Sequence, residues 1–124
     1  MTVHLDTSVL IDALTGPRRS LDGVIDLTTD GHRLSLSAIV LYEWLRGPRL
    51  RAELVAQEEL FPRHNVVAFG PPHAALAAEL YEAVRRPRGR EIDLAIAATA
   101  MAEGAALWTL NRQDFSDIPD LRLI

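Results

Sequence analysis

Short apolar runs alternate with longer helical stretches along this chain of 124 residues, and no other feature constrains its fold as strongly. Runs of about four apolar residues suit strands, whereas apolar residues that repeat every three or four positions suit helices that cover a sheet. Strands separated by helices pair in parallel, because each helical crossover returns the chain to the same edge of the sheet. The sequence therefore predicts an α/β fold with a central, mostly parallel sheet.

Glycine and proline divide the chain into individual elements. The segments expected to form strands are residues 3–5, 33–36, 66–69 and 106–110, with a further edge strand at 121–124. The segments expected to form helices are residues 7–14, 20–29, 38–46, 48–61, 73–86 and 91–103. We expect Ser37 to cap the third helix, Pro48 to occupy the first turn of the fourth, and Gly104 to end the sixth.

The composition is that of one globular domain spanning residues 1–124. Hydrophobic residues make up 48% of the chain and charged residues 24%, which is ordinary for a folded protein. A chain of this length buries roughly two-thirds of the surface that it exposes when unfolded. No basic flank precedes the first apolar run, and no stretch approaches about 18 uninterrupted apolar residues. We therefore expect a cytoplasmic protein that does not bind a membrane.

The chain contains no cysteine, which excludes disulfide bonds and thiolate metal sites. Carboxylate oxygens and histidine nitrogens remain as metal ligands. The histidines lack close ligand spacing and are expected to be surface or strand residues: His4, His32, His64 and His73. All 13 basic residues are arginine, which either phosphate recognition or a G+C-rich genome would explain. The net charge of −4 argues against a broadly basic nucleic-acid surface, although it permits a local arginine rim.

Four acidic residues lie where a short apolar run ends or on a helix that follows one. They are Asp6, Glu43, Asp93 and Asp114. Ligands of open parallel sheets bind beyond the carboxyl ends of the strands, so acids near those ends face shared space. Carboxylates that are brought together repel one another, and hard cations prefer oxygen ligands. The four acids therefore predict one metal-binding pocket.

Each acid also has a simpler structural role open to it. Glu43 could be an exposed helical glutamate, and Asp93 could serve only the dipole of its helix. Glu91 occupies the same first turn and could replace Asp93 as a ligand, although Asp93 shares a face with apolar residues. The other aspartates are expected to be solvated or to form turns: Asp12, Asp22, Asp26, Asp30, Asp117 and Asp120.

Four segments of the chain closely resemble the PIN-domain ribonuclease family, especially the VapC-like toxins of type II toxin–antitoxin systems. The segments are LDTSVLID at residues 5–12, LYE at 41–43, DLAIAATA at 93–100 and TLNRQDF at 109–115. Each segment is weak alone, but the four occur in family order across nearly the whole chain. The resemblance implies a PIN-like three-layer α/β/α sandwich with a mostly parallel sheet of four to five strands.

The resemblance also implies a metal-dependent endoribonuclease. By motif position, the catalytic residues and ligands of one or two Mg²⁺ or Mn²⁺ ions would be Asp6, Glu43, Asp93 and Asp114. The supporting polar groups would be Thr7, Ser8, Thr109 and Asn111. Such a protein would be a toxin that cleaves a structured cellular RNA and inhibits translation. It would form a homodimer and bind a small cognate antitoxin.

Two groups of arginines flank the expected ligands. Arg85, Arg86, Arg88 and Arg90 precede Asp93, and Arg46, Arg49 and Arg51 follow Glu43. Either group could hold an RNA backbone beside the carboxylates, and a solvated or partner-binding surface accounts for both groups equally well. Trp44 and Trp108 lie inside apolar runs, which favours core or subunit contacts over base stacking.

Other functions stay open from the sequence alone. A general RNA-processing PIN nuclease without an antitoxin would share the same acids, and a non-catalytic binding module would not need all four. A phospho-acceptor signalling domain also gathers acids at strand ends, but such domains need a lysine that this chain lacks. Five apolar residues are expected to serve subunit or partner contacts unless they pack within one monomer: Leu45, Leu50, Leu54, Val55 and Leu60.

Overall fold

The computed structural model describes residues 1–124 and contains three strands and six α-helices. The strands are β1 (Thr2–Leu5), β2 (Arg33–Ser35) and β3 (Ala106–Trp108). The helices are α1 (Thr7–Leu14), α2 (Leu21–Thr29), α3 (Ala38–Arg46), α4 (Arg51–Leu60), α5 (Pro71–Ala83) and α6 (Glu91–Ala102). Two short 3₁₀ turns lie at Arg63–Asn65 and Arg112–Asp114. No helix has the length and apolarity that spanning a membrane would require.

The sheet has the order β2-β1-β3, and both pairs of strands run parallel. Val3 of the central strand lies opposite Leu34 on one side and Ala106 on the other. Successive side chains of a strand point to opposite faces, and Val3, His4 and Leu5 are all buried. Both faces of β1 are therefore covered, as a three-layer α/β/α arrangement requires.

The predicted strand at residues 66–69 was wrong. Only Val67 pairs there, in a single parallel bridge with Ser37. The N–H of Ala38 donates to the carbonyl of Val67 at 2.8 Å, but the chain enters α3 at Ala38. Because the partner segment has turned into a helix, the ladder cannot continue and no strand forms.

The C-terminal strands are also shorter than predicted. β3 ends two residues early, because the hydroxyl of Thr109 accepts the N–H of Asn111 at 3.0 Å and the chain turns away from the sheet. The predicted edge strand at 121–124 is one parallel bridge between Leu123 and Leu107. The sheet therefore has three strands rather than four or five, while the predicted fold class is confirmed.

The fourth helix does not start at Pro48, as the sequence predicts. It begins after Leu50, whose N–H donates to Glu53 Oε1 at 2.7 Å. Pro48 and Arg49 stay outside the helix, and the guanidinium of Arg49 lies over the ring of Trp44 at 4.3 Å. Trp44 itself is fully buried, which confirms its expected place in the core.

The fifth helix is displaced towards the N-terminus relative to its prediction. It spans Pro71–Ala83 rather than residues 73–86, because proline is well placed in a first helical turn. Val84 ends the helix with extended backbone angles. Arg85 and Arg86 therefore lie in the loop between α5 and α6, not on a helix face.

The most buried helix is α6, in which every residue from Leu94 to Ala100 is buried. Its small alanine side chains let the helix approach its neighbours closely, and α5 packs along it. At the start of α5, His73 is buried, contrary to the expectation of a surface or strand residue. Its Nδ1 accepts the N–H of Gly70 at 2.9 Å, and its Nε2 bonds the carboxylate of Glu103 at 3.0 Å. His73 thus links the start of α5 to the end of α6.

Candidate active site

Asp6 occupies the centre of the carboxyl edge of the sheet. It directly follows β1, and its N–H donates to the carbonyl of Trp108 at 2.9 Å. Its side chain is buried, and Oδ2 accepts hydrogen bonds from Thr109 Oγ1 at 2.7 Å and from Ser8 Oγ at 2.8 Å. The second oxygen, Oδ1, accepts neither bond. Two hydroxyls therefore fix the direction of the carboxylate and leave one oxygen for a ligand.

Glu43 reaches the same region from α3. Its Oε1 accepts the hydroxyl of Thr7 at 2.6 Å, and its Oε2 pairs with Arg46 at 3.2 Å. Only 19% of its side chain is exposed. Glu43 is therefore held against α1 and is not a freely solvated helical glutamate.

The pKa of Asp93 reflects the burial and the charges around it. Burial, together with the neighbouring carboxylates of Asp6, Asp114 and Glu43, raises the pKa of Asp93 to about 6. Arg90 opposes the shift but does not cancel it. Because all three other carboxylates act on this one group, the fold brings the four predicted acids into one electrostatic neighbourhood.

Asp114 is the most exposed of the four acids and lies in the second 3₁₀ turn. Its backbone carbonyl accepts a hydrogen bond from Arg90 Nη2 at 3.0 Å. The same guanidinium forms a two-pronged ion pair with Asp117, at 2.6 Å and 2.9 Å. Arg90 therefore fastens the Asp114 turn to the start of α6, close to Asp93.

The supporting polar residues divide between the acids. Ser8 and Thr109 contact Asp6, and Thr7 contacts Glu43. Asn111 contributes through its backbone N–H, which donates to Thr109, while its side chain is exposed.

Glu91, the alternative first-turn acid, bonds to the loop that precedes α6. It is exposed, and its carboxylate accepts the N–H of Gly89 at 3.1 Å. Hydrogen bonds from the backbone lower its pKa, opposite to the shift of Asp93. Asp12 is likewise engaged elsewhere, since it accepts the hydroxyl of Ser20 at 2.6 Å.

A polar cleft of about 710 Å³ includes one of the four acids, Asp114, in its lining. Its lining residues are Arg85, Arg86, Arg90, Gln113, Asp114, Ser116 and Asp117. Of the four arginines predicted to bind RNA, Arg85 and Arg86 are exposed beside the cleft, Arg90 is committed to Asp117, and Arg88 does not line it. The ion pair of Arg90 is not evident from the sequence, because its partner lies 27 positions away in a segment typical of turns.

The chemistry of these donors fits a hard divalent cation. Oxygen ligands of net negative charge suit Mg²⁺ and Mn²⁺, and burial together with the other carboxylates raises the pKa of Asp93 although Arg90 opposes the shift. As placed, however, no group of three or more acidic or histidine side chains could hold a metal ion. The side chains would have to draw together around the ion.

Comparison with known proteins places this geometry in a family. The model of the PIN domain matches residues 3–121. Ribonuclease VapC19 of Mycobacterium tuberculosis is 31% identical over 120 residues, which is 95% of each chain. The chain therefore belongs to the PIN domain family, and the resemblance found in its sequence is confirmed.

Solved structures agree on the fold. A toxin–antitoxin complex from Klebsiella pneumoniae matches with a TM-score of 0.74 and 25% identity, covering 98% of this chain and 95% of that one. The structure of VapBC2 from Rickettsia felis bound to a promoter DNA fragment matches with a TM-score of 0.77 and 23% identity, covering 100% and 98%.

The raised pKa of Asp93 predicts how stability depends on pH. The folded-state pKa of about 6 lies above the ordinary value of 3.8, so the folded chain holds this proton more tightly than the unfolded chain does. Ionised Asp93 therefore costs stability, and the cost develops as pH rises from about 4 through about 6. With a chelator present, Asp93→Asn should melt at a higher temperature than the wild type at pH 7.5. The difference should vanish by pH 4.

Glu91→Gln is the matched control, since Glu91 lies in the same helical turn but has a lowered pKa. It should give no rise in melting temperature at pH 7.5. Equal melting curves for Asp93→Asn and the wild type at both pH values would contradict the proposed carboxylate repulsion.

Proposed function

We propose that this protein is a metal-dependent endoribonuclease and the toxin of a toxin–antitoxin pair, which cleaves a structured cellular RNA and thereby inhibits translation. The observation that carries the proposal is the group of four carboxylates at the carboxyl edge of the sheet, in a chain of the PIN domain family. Support for the reaction class comes from the relative named Ribonuclease VapC19.

Asp6, Glu43, Asp93 and Asp114 would hold one or two Mg²⁺ or Mn²⁺ ions. A bound ion would supply an activated water molecule and stabilise the charge that develops on the phosphate. The residue set meets this need, because its oxygen donors concentrate negative charge that a cation would relieve.

The surrounding residues hold these carboxylates in place. Ser8 and Thr109 orient Asp6, and Thr7 and Arg46 orient Glu43. Asp93 is mostly ionised at neutral pH, because its pKa is about 6. Below that pH it takes up a proton and loses its charge, so cation binding should weaken on the acid side.

Replacing the acids tests the catalytic assignment. Asp6→Asn and Asp93→Asn keep side-chain volume but remove the charged oxygen ligand, so each should lower the RNA cleavage rate by at least about 100-fold while the protein stays folded. Rates on total RNA with Mg²⁺ or Mn²⁺, together with circular dichroism, measure both properties.

Glu91→Gln and Asp12→Asn serve as controls, because both side chains have partners outside the site. They should keep most of the activity. If Glu91→Gln abolished cleavage and Asp93→Asn did not, Glu91 rather than Asp93 would be the ligand.

Arg85 and Arg86 are proposed to hold the RNA backbone. Both are exposed on the rim of the cleft that also contains Asp114. Arg90 is less available for phosphate, because the carboxylate of Asp117 already takes two of its N–H groups.

The salt dependence of RNA binding tests this role. Each phosphate contact to single-stranded RNA contributes about 0.7 to the slope of log affinity against log salt. In catalytically silent Asp93→Asn protein, the further change of Arg85 and Arg86 to Gln should weaken binding and flatten that slope by about 1.4. Arg19→Gln, an exposed arginine elsewhere, is the control. An unchanged slope after loss of both cleft arginines would reject the assignment.

A cognate antitoxin and a homodimer complete the proposal. Similar structures are described as toxin–antitoxin complexes, among them the one from Klebsiella pneumoniae. Of the five apolar residues expected at interfaces, Leu54 packs against the core, whereas four stay exposed: Leu45, Leu50, Val55 and Leu60. The cluster of four carboxylates would also attract an arginine inserted from a partner chain.

Light scattering of the purified protein, alone and with the product of an adjacent small gene, tests both partners. We expect a dimer at micromolar concentration and a larger complex without ribonuclease activity. A monomer that cleaves RNA, and that neither binds that product nor is inhibited by it, would instead be a general RNA-processing PIN nuclease.

A further inference from the structure

Arg90 joins the segments that carry two of the four acids. Its backbone caps the start of α6, where its carbonyl accepts the N–H of Leu94 at 2.9 Å. Asp93 lies in the first turn of that helix. The side chain of Arg90 crosses to the second 3₁₀ turn, where Nη2 donates to the carbonyl of Asp114 at 3.0 Å. Arg90 therefore contacts the segment of one acid through its backbone and the segment of another, 24 positions away, through its side chain.

The turn that carries Asp114 has no other polar link to this helix. The N–H of Asp114 donates to the carbonyl of Asn111 at 2.9 Å, within the turn itself. The next residue, Phe115, is buried and anchors the turn in the core. Apart from the bonds of Arg90, no hydrogen bond joins residues 112–117 to α6 or to the loop before it. The side chain of Arg90 is therefore the polar contact that sets where the turn lies against α6.

Asp117 holds the guanidinium of Arg90 in place. Its two carboxylate oxygens accept Nη2 at 2.6 Å and Nη1 at 2.9 Å. Both N–H groups of Nη2 are therefore used, one by Asp117 and the other by the carbonyl of Asp114. The carboxylates of Asp93 and Asp114 receive none of these bonds and stay available to a cation.

We propose that Arg90 and Asp117 are positioning residues of the metal site, which hold the Asp114 turn beside Asp93 so that both carboxylates can reach the same ion. The inference rests on the proposed metal-dependent function and deepens it. Of the two side chains, 21% of Arg90 and 47% of Asp117 are exposed, and ion pairs this exposed add little to the free energy of unfolding. The planar fork of arginine, which lysine lacks, lets one side chain bond a carboxylate and a carbonyl together.

A charge effect and a positioning effect of Arg90 have opposite signs. The hydrogen bond to Asp117 raises the pKa of Arg90, and the nearby charges of Asp93 and Asp114 add to that effect. If only the charge of Arg90 mattered, its removal would strengthen cation binding, because a repelling positive charge would be gone. If Arg90 positions the turn, its removal weakens cation binding, because Asp114 is no longer held beside Asp93. The direction of the change in Mn²⁺ affinity therefore decides between the two effects.

Calorimetric titration of the intact, RNA-free protein with Mn²⁺ at pH 7.5 measures that affinity. Arg90→Gln should weaken Mn²⁺ binding by about 10- to 100-fold, the usual effect of losing a group that orients a metal ligand. Arg90→Lys should lose a similar amount, because it keeps the charge but not the fork. Arg88→Gln is the matched control, since it removes an exposed arginine from the same loop and should leave the Mn²⁺ affinity unchanged.

Hydrogen exchange of the metal-free protein measures the turn itself. The N–H groups of Asp114 and Phe115 are bonded within the turn, so both should exchange faster in Arg90→Gln, whereas the amides in the middle of α6 should not. Asp117→Asn should change exchange and Mn²⁺ affinity in the same direction. The double variant should be no worse than Arg90→Gln, because both residues act through one contact. Losses that multiply in the double variant would contradict that shared contact.

Three outcomes would overturn the positioning role while leaving the metal site in place. They are Mn²⁺ binding by Arg90→Gln that is unchanged or tighter, full recovery of binding by Arg90→Lys, and a flattened salt dependence of RNA binding without loss of Mn²⁺ affinity. The last result would make Arg90 a phosphate contact. If the wild type bound no Mn²⁺ and cut no RNA while its fold was intact, the proposed function itself would fail, and the positioning role with it.

Discussion

Parallel pairing of β1 with both of its neighbours is the constraint on which the site depends. The pairing buries β1 and directs all three strands towards one edge of the sheet. The hydrogen bond from the Asp6 N–H to the Trp108 carbonyl is formed where the pairing of β1 with β3 ends. Beyond it the segments that follow β1 and β3 leave the sheet, and polar side chains replace apolar ones. The edge of the sheet therefore becomes the place where acids from distant segments meet.

The groups that hold the four carboxylates in place differ from one acid to the next. Hydroxyls hold Asp6, and a hydroxyl and an arginine hold Glu43. Asp93 has no side-chain hydrogen bond of this kind, and Arg90 is the one nearby positive charge that lowers its pKa. Burial of Asp93, together with the charge of the other three carboxylates, raises its pKa. A fold selected for stability alone would pair or dilute this charge. Charge left in this way is consistent with the cation site that we propose.

The sequence predicted much of this arrangement because helix and strand periodicities are local properties. The positions of Asp6 and Asp93 at element boundaries followed from them, and the pKa shift of Asp93 agrees with their convergence. The segments around Val67 and Leu123 failed as strands, because a strand needs a partner that continues, which no local pattern reveals. The ion pair between Arg90 and Asp117 could not be predicted either, because its partners lie 27 positions apart in the sequence.

The order of the four acids along the chain also matters for synthesis. Asp6 is the first residue after β1, whereas Asp114 lies in a turn fastened by Arg90 near the other end of the sequence. A ribosome must therefore release more than a hundred residues before the four carboxylates can meet, so a growing chain has no complete site. The ribonuclease that we propose would thus stay inactive during its own synthesis until its last acid has left the ribosome and folded.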